Sequence, residues 1–193
     1  MRADLLLGPE VSDVDGNIEE RRGTVSVFNG PYPAIESFDT EEDEISAVGA
    51  WLAERSAEGV APHEVGVFVR SEAEVDRACR AVAKAGLSYR MLDEHVGTTS
   101  GQVSVCTMHL AKGLEFRAVA VMACDDEVIP QQSRIETAAD SSDMEEVYNT
   151  ERHLLYVACT RARDYLLVTS TDPASEFLED LLILPCSTVT STF

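Results

Sequence analysis

Three short apolar runs, Val65–Val69 (VGVFV), Val103–Cys106 (VSVC) and Ala118–Met122 (AVAVM), limit what this chain can fold into. Runs of this length fit strands buried on both sides, and such a sheet needs cover on both faces. The segments between them supply helices. Thr40 is a good N-cap, Glu41, Glu42 and Asp43 place negative charge in the first turn, and Ile45, Val48 and Leu52 mark one face up to about Ser56. Ser71 caps a second helix from about Glu72 to Ala85, with Val75, Cys79, Val82 and Ala83 on its apolar face and Gly86 at its end. Ala34–Phe38, Leu87–Met91 and Tyr165–Thr169 read as further strands, and TVSVF at 24–28 has strand character. Asp93–Gln102 reads as a polar loop and 123–148 as a long acidic one. A helix capped by Asn149 or Thr150 runs to about Arg163, and Ala174–Leu182 is a last short helix. Strands alternating with helices predict an α/β fold, a mainly parallel sheet with helices on both faces. The organisation expected is an irregular segment over 1–32, one domain over 33–184 and a tail over 185–193.

The formal net charge of −20 opposes nonspecific nucleic-acid binding by the chain as a whole, because phosphate contacts need basic groups. The acidic residues cluster at 36–44, 125–127 and 136–151, whereas Lys112, Arg117, Arg152, Arg161 and Arg163 gather around two other segments, so a local site can remain neutral or positive. The five cysteines form no C-x-x-C pair, so neither a zinc site nor a disulfide framework is expected; free thiols fit a cytoplasmic protein. No apolar run approaches the roughly 20 residues that span a bilayer, and no membrane partner is expected. G-x-S-x-G and G-x-G-x-x-G are absent, which leaves hydrolase and dinucleotide-binding readings without support.

The first of the two segments is VSVCTMHLAKGLEF, Val103–Phe116. Its strand delivers Thr107 and His109 to what reads as the carboxyl edge of the sheet, where a hydroxyl and an imidazole can donate to a phosphate oxygen. The whole stretch Thr107–Glu115 is expected beyond that edge, where ligands of parallel sheets bind. Lys112 brings positive charge, Gly113 lets backbone approach a ligand closely, and Glu115 can accept from a ribose hydroxyl. Taken singly, each residue reads better as a solvated loop side chain or a satisfied core histidine; the joint pattern T-x-H-x-A-K-G-L-E-F after a β-type run is specific. The second segment is ERHLLYVACTRARDY, Glu151–Tyr165. Arg161 is always charged and can bridge phosphate oxygens in two-pronged fashion. The plain alternative, cations at a helix C-terminus favoured by the dipole, suits Arg163 better than Arg161.

Together these segments resemble motifs V and VI of UvrD/Rep-type superfamily-one DNA helicases, in the second RecA-like motor domain, and the resemblance covers about residues 33 to 170. It implies a RecA-like sheet, Thr107 and His109 on a single-stranded DNA track, the Gly113–Glu115 stretch facing nucleotide with Glu115 on the ATP ribose, and Arg161 as the arginine finger toward the γ-phosphate. Lys112 is implied as a DNA-side or coupling residue. A weaker match at VGVFVRSEAEVDR implies a DNA-backbone role for Arg70 and Ser71; an N-cap serine beside a surface arginine explains them equally well.

Three departures matter. No G-x-x-x-x-G-K-[ST] occurs, so the resemblance implies that ATP and Mg2+ belong to a complete protein with an upstream phosphate-loop motor domain, that this chain alone binds neither, and that alone it is inactive. Only about ten residues, Asp93–Gln102, stand where large family members insert an accessory domain. The family's N-Y-R-S segment is missing, and Leu110 and His153 differ from the usual residues. The competing reading is a non-enzymatic helicase-like module that binds a basic protein through its acidic surface, with 123–148 as the contact.

Overall fold

The computed structural model describes residues 10–12, 18–20, 31–92 and 99–182. Within the stretch expected to be irregular, β1 (Glu10–Ser12) pairs antiparallel with β2 (Ile18–Glu20). The expected strand at 24–28 lies outside the described residues, as does the tail from 185. The main sheet contains β3 (Ala34–Phe38), β4 (Val65–Val69), β5 (Tyr89–Met91), β6 (Val103–Thr107), β7 (Phe116–Val121) and β8 (Ala162–Thr171). Its spatial order is β3-β8-β7-β4-β6-β5, and every pairing is parallel. The expected α/β class is what the chain adopts.

Helices cover both faces. On one, α1 (Glu41–Ala57) and α2 (Val75–Lys84) pack Ile45, Val48, Leu52, Ala78, Ala81 and Val82 against Val65, Val67, Val103, Val105, Ala118 and Ala120. On the other, α4 (Ser141–Cys159), following the short α3 (Gln132–Glu136), and α5 (Phe177–Leu182) pack Leu155, Ala158, Cys159 and Phe177 against Phe68, Cys106, Phe116, Val119 and Leu166. Successive strand residues point to opposite faces. The apolar runs therefore feed two cores at once, which is why they are continuous rather than alternating. Gly66 makes room on β4: a Cβ there would meet Phe116 Cδ2 at 2.8 Å.

Local chemistry sets the helix starts. Thr40 Oγ1 accepts from the Asp43 amide at 3.2 Å, as its sequence position predicts. Helix α4 departs from expectation. It begins at Ser141, not near Thr150, because Asp140 Oδ1 accepts from the amides of Ser142 and Asp143 at 2.8 and 3.0 Å. Its first turns are exposed, so they carry no apolar stripe for a sequence reading to find. It also ends at Cys159, which places Arg161 in the following turn and Arg163 inside β8. The expected acidic loop 123–148 is thus partly α3 and α4. Glu72–Glu74 form a 3-10 turn ahead of α2, and Ser71, at its head, makes no capping bond through its side chain.

On the α1/α2 side the carboxyl edge is closed by a buried polar network. Glu44 accepts from Arg77, from the Ala123 amide at 3.0 Å and from Thr169 Oγ1 at 2.6 Å, and Arg77 Nη1 donates to Asp125 at 2.6 Å.

Candidate functional site

The strand register sorts the candidate residues onto two opposite edges of the sheet. Phe116, the first residue of β7, pairs with Ala162, the first of β8. The residues just before them, Glu115 and Arg161, are therefore neighbours at the amino edge, and the Phe116 amide donates to the Arg161 carbonyl at 2.9 Å. Val69 of β4 pairs with Thr107 of β6 at the other end, so Arg70, Ser71, Thr107 and His109 gather at the carboxyl edge. The stretch Thr107–Glu115 was expected entirely beyond the carboxyl edge; that expectation is corrected. Met108–Ala111 form a 3-10 turn there, and the chain then returns to begin β7 at the opposite edge. The height it crosses, about five strand residues, is roughly 17 Å.

At the amino edge, the Arg161 guanidinium is held by its own neighbourhood. Nε donates to the Val157 carbonyl at 3.1 Å, Nη1 to the Leu114 carbonyl at 3.3 Å and Nη2 to Thr160 Oγ1 at 3.1 Å. A guanidinium carries five N–H donors, so donors remain for a ligand. Among the described residues no carboxylate lies within 4.0 Å of it. This is unusual in a chain with 35 acidic residues against 15 lysines and arginines. Arg117, Arg152 and Arg163, which the sequence groups with Arg161, are each paired: Arg117 with Glu64 and Asp164, Arg152 with Asp180, Arg163 with Asp164. The Asp164 bonds raise the Arg163 pKa further, with Glu115 adding a smaller push in the same direction.

Lys112, Gly113 and Glu115 are all exposed beside Arg161. Gly113 has φ of 84°, a left-handed conformation that a side chain resists, and a Cβ there would meet nothing within 4 Å. The turn is tied by the Leu114 amide to the Ala111 carbonyl at 3.2 Å. The edge thus presents one oriented cation, one carboxylate and an open backbone loop, a set suited to a phosphorylated ligand with hydroxyls.

At the carboxyl edge Thr107 is buried and His109 is exposed. Arg70 is not the surface residue expected. It is 3% exposed and grips Glu151 with Nε to Oε2 at 2.5 Å and Nη2 to Oε1 at 2.6 Å. Arg134 Nη1 adds a third bond to Glu151 Oε1 at 2.8 Å. With both prongs engaged, Arg70 acts on the edge through its charge. The His109 pKa falls below the usual histidine range, by partial burial first and then by the Arg70 charge, with Arg134 pushing the same way. Against burial, Arg70 and Arg134 hold the Glu151 carboxyl below the usual carboxylate range.

Neither Glu151 nor Arg134 stands among the sequence-derived site residues. Glu151 could have been found. It lies four residues before the buried Leu155, on the same stripe of α4, and a carboxylate on a buried stripe demands a cationic partner. Arg134 carries no such signal within its acidic surroundings. The two edges are mechanically joined: α4 carries Glu151 at one and leads into Arg161 at the other, and Met108–Ala111 packs on α4. No described helix is long and apolar enough to cross a membrane.

Residues 84–172 match the UvrD-like helicase C-terminal domain, a span holding Thr107, His109, Glu115 and Arg161. YjcD of Bacillus subtilis (strain 168), which carries the provisional name of an ATP-dependent DNA helicase, is 40% identical over 89 residues, 42% of this chain and 11% of that protein. The ATP-dependent DNA helicase PcrA of Staphylococcus epidermidis is 40% identical over 72 residues, 37% of this chain and 9% of its own length. The matched segment is thus about a tenth of these relatives. Among solved structures, the C-terminal domain of a possible DNA helicase from Lactobacillus plantarum WCFS1 shares the fold, with a TM-score of 0.58 at 23% identity over 81% of this chain and 86% of that one. Over residues 84–172, which supply four of the six strands of the parallel sheet, the chain is similar to the UvrD-like helicase C-terminal domain.

Proposed function

We propose that this domain is the second motor half of an ATP-dependent DNA helicase or translocase, with a nucleotide face at the amino edge and a single-stranded DNA track at the carboxyl edge. The observation that carries the reading is Arg161, bound to carbonyl and hydroxyl oxygens and to no carboxylate among the described residues, beside the exposed Glu115. A guanidinium without an acidic partner in so acidic a chain is available to an incoming anion. ATP, held by a phosphate-loop domain, would meet this edge from across a cleft. There Arg161 stabilises charge developing on the γ-phosphoryl oxygens and Glu115 accepts from the ribose. Mg2+ accompanies the triphosphate on the other domain; no residue of this chain is assigned to it.

At the carboxyl edge, Thr107 and His109 contact the nucleic-acid backbone. His109, with its lowered pKa, offers a neutral ring at pH 7 and donates one N–H. Arg70 supports this face by its charge rather than by direct contact. Ser71, whose hydroxyl makes no cap bond, is free to contribute a polar contact. Lys112, exposed on the return crossing, is assigned to coupling between the edges. The acidic-scaffold reading leaves Arg161 and Glu115 without a task.

The test joins the domain to its phosphate-loop partner and measures DNA-stimulated ATP hydrolysis. The isolated chain is expected to show none. In the joined protein, Arg161→Ala is expected to lower kcat by about 10³-fold or more. Turnover within a few-fold of the unaltered protein would contradict the proposal.

A further inference from the structure

We propose that Arg134, held by Glu151 beside His109, is a further phosphate-binding residue for single-stranded nucleic acid, and that Glu151 is the positioning residue that presents it. The inference rests on the reading of the carboxyl edge as a nucleic-acid track. Glu151 is already matched by Arg70, which bonds both carboxylate oxygens at 2.5 and 2.6 Å. A second guanidinium at 2.8 Å adds charge beyond neutrality. Two arginines on one carboxylate leave a local net positive charge on a chain of −20. Such a pair repels itself, and an arriving phosphate relieves that repulsion.

The two arginines differ in access. Arg70 is 3% exposed and bonds Glu151 through Nε and Nη2, so burial keeps it from a ligand. The Arg134 side chain is 37% exposed, and only its Nη1 bonds to a protein acceptor among the described residues. Its Nε and Nη2 are left for the two-pronged contact a phosphodiester favours. Its place at the carboxyl edge follows from Glu151, which Arg70, the residue after Val69 of β4, also holds there. The division of labour is then specific: Arg70 and Glu151 form a buried clamp, and Arg134 is the part of the clamp that faces outward charge.

The experiment uses the whole 193-residue chain and a short fluorescein-labelled oligothymidylate, followed by anisotropy across a salt series. One lost phosphate contact on a single strand reduces the slope of log K against log salt by about 0.7. Arg134→Gln is expected to show that reduction and to weaken binding alike across oligonucleotides of different base sequence. Arg134→Lys, which keeps the charge, is expected to retain the slope. A residue serving only to brace Glu151 would leave the slope untouched, whatever happened to stability. His109→Gln tests the underlying track, and it should weaken binding with the slope preserved. If His109→Gln weakens binding while Arg134→Gln changes neither affinity nor slope, the Arg134 assignment is wrong and the track stands. If the unaltered chain fails to bind the oligonucleotide even at low salt, both fall together.

Discussion

Replacing Glu151 by Gln removes the charge on which the carboxyl edge is built. Glu151 is fully buried and accepts three charged hydrogen bonds, two from Arg70 and one from Arg134. Gln keeps the shape and one acceptor oxygen but strands Arg70, itself 3% exposed, as an uncompensated buried cation. Breaking a buried pair in this one-sided way costs about 3–5 kcal/mol. Arg134 adds little to that figure because its side chain is 37% exposed and can turn to water. Against a total stability of roughly 5–15 kcal/mol, the loss is large. In urea denaturation the midpoint should fall by roughly 1–2 M with the slope unchanged. The double replacement Glu151→Leu with Arg70→Met removes both charges and should recover much of the loss. The linkage has a defined sign. The folded-state pKa of Glu151 is lowered because Arg70 and Arg134 outweigh burial. Its stabilisation is therefore present above the ordinary carboxylate value and disappears as pH falls through the lowered one. A single Glu151→Gln variant losing less than about 1 kcal/mol would refute the claim that this pair is buried and interdependent.

Two further stability tests address the frame. Gly66→Ala should cost about 1–3 kcal/mol by overpacking, since the added methyl would sit 2.8 Å from the ring of Phe116, whose edge packs on Phe68 at 6.0 Å between centroids; a neutral effect in thermal melting would contradict that packing. Asp140→Ala should cost about 1 kcal/mol and strip protection from the amides of Ser142 and Asp143 in hydrogen exchange; unchanged exchange there would mean that Asp140 does not begin α4.

The parts of this molecule that were legible in the sequence are those whose cause is local. VGVFV and AVAVM announce strands because burial on both faces needs continuous apolar residues, and Thr40 announces α1 because its cap bond reaches only to Asp43. Helix α4 was legible only in its second half, where Leu155 and Ala158 are buried; Ser141–Glu146 depend on a cap and are solvated throughout. Pairings distant along the chain were not legible. Arg70 resembles a surface arginine until Glu151, 81 residues away, arrives beside it. The separation of Thr107 from Glu115 onto opposite edges follows from the return crossing between β6 and β7, which two successive parallel strands require; it was implicit in the expected strands and was missed by placing the whole stretch beyond one edge. The adjacency of Glu115 and Arg161 comes from strand register, which brings together the residues preceding β7 and β8.

Hydrolysis by the proposed motor requires Arg161 to leave its carbonyl partners for a triphosphate held elsewhere. The most direct measurement is a structure of the domain joined to its phosphate-loop partner with ADP and aluminium fluoride bound. The Arg161 guanidinium is expected at about 3 Å from the fluoride, with Glu115 on the ribose. Arg161 still resting on the Val157 and Leu114 carbonyls, with another cation beside the fluoride, would contradict it.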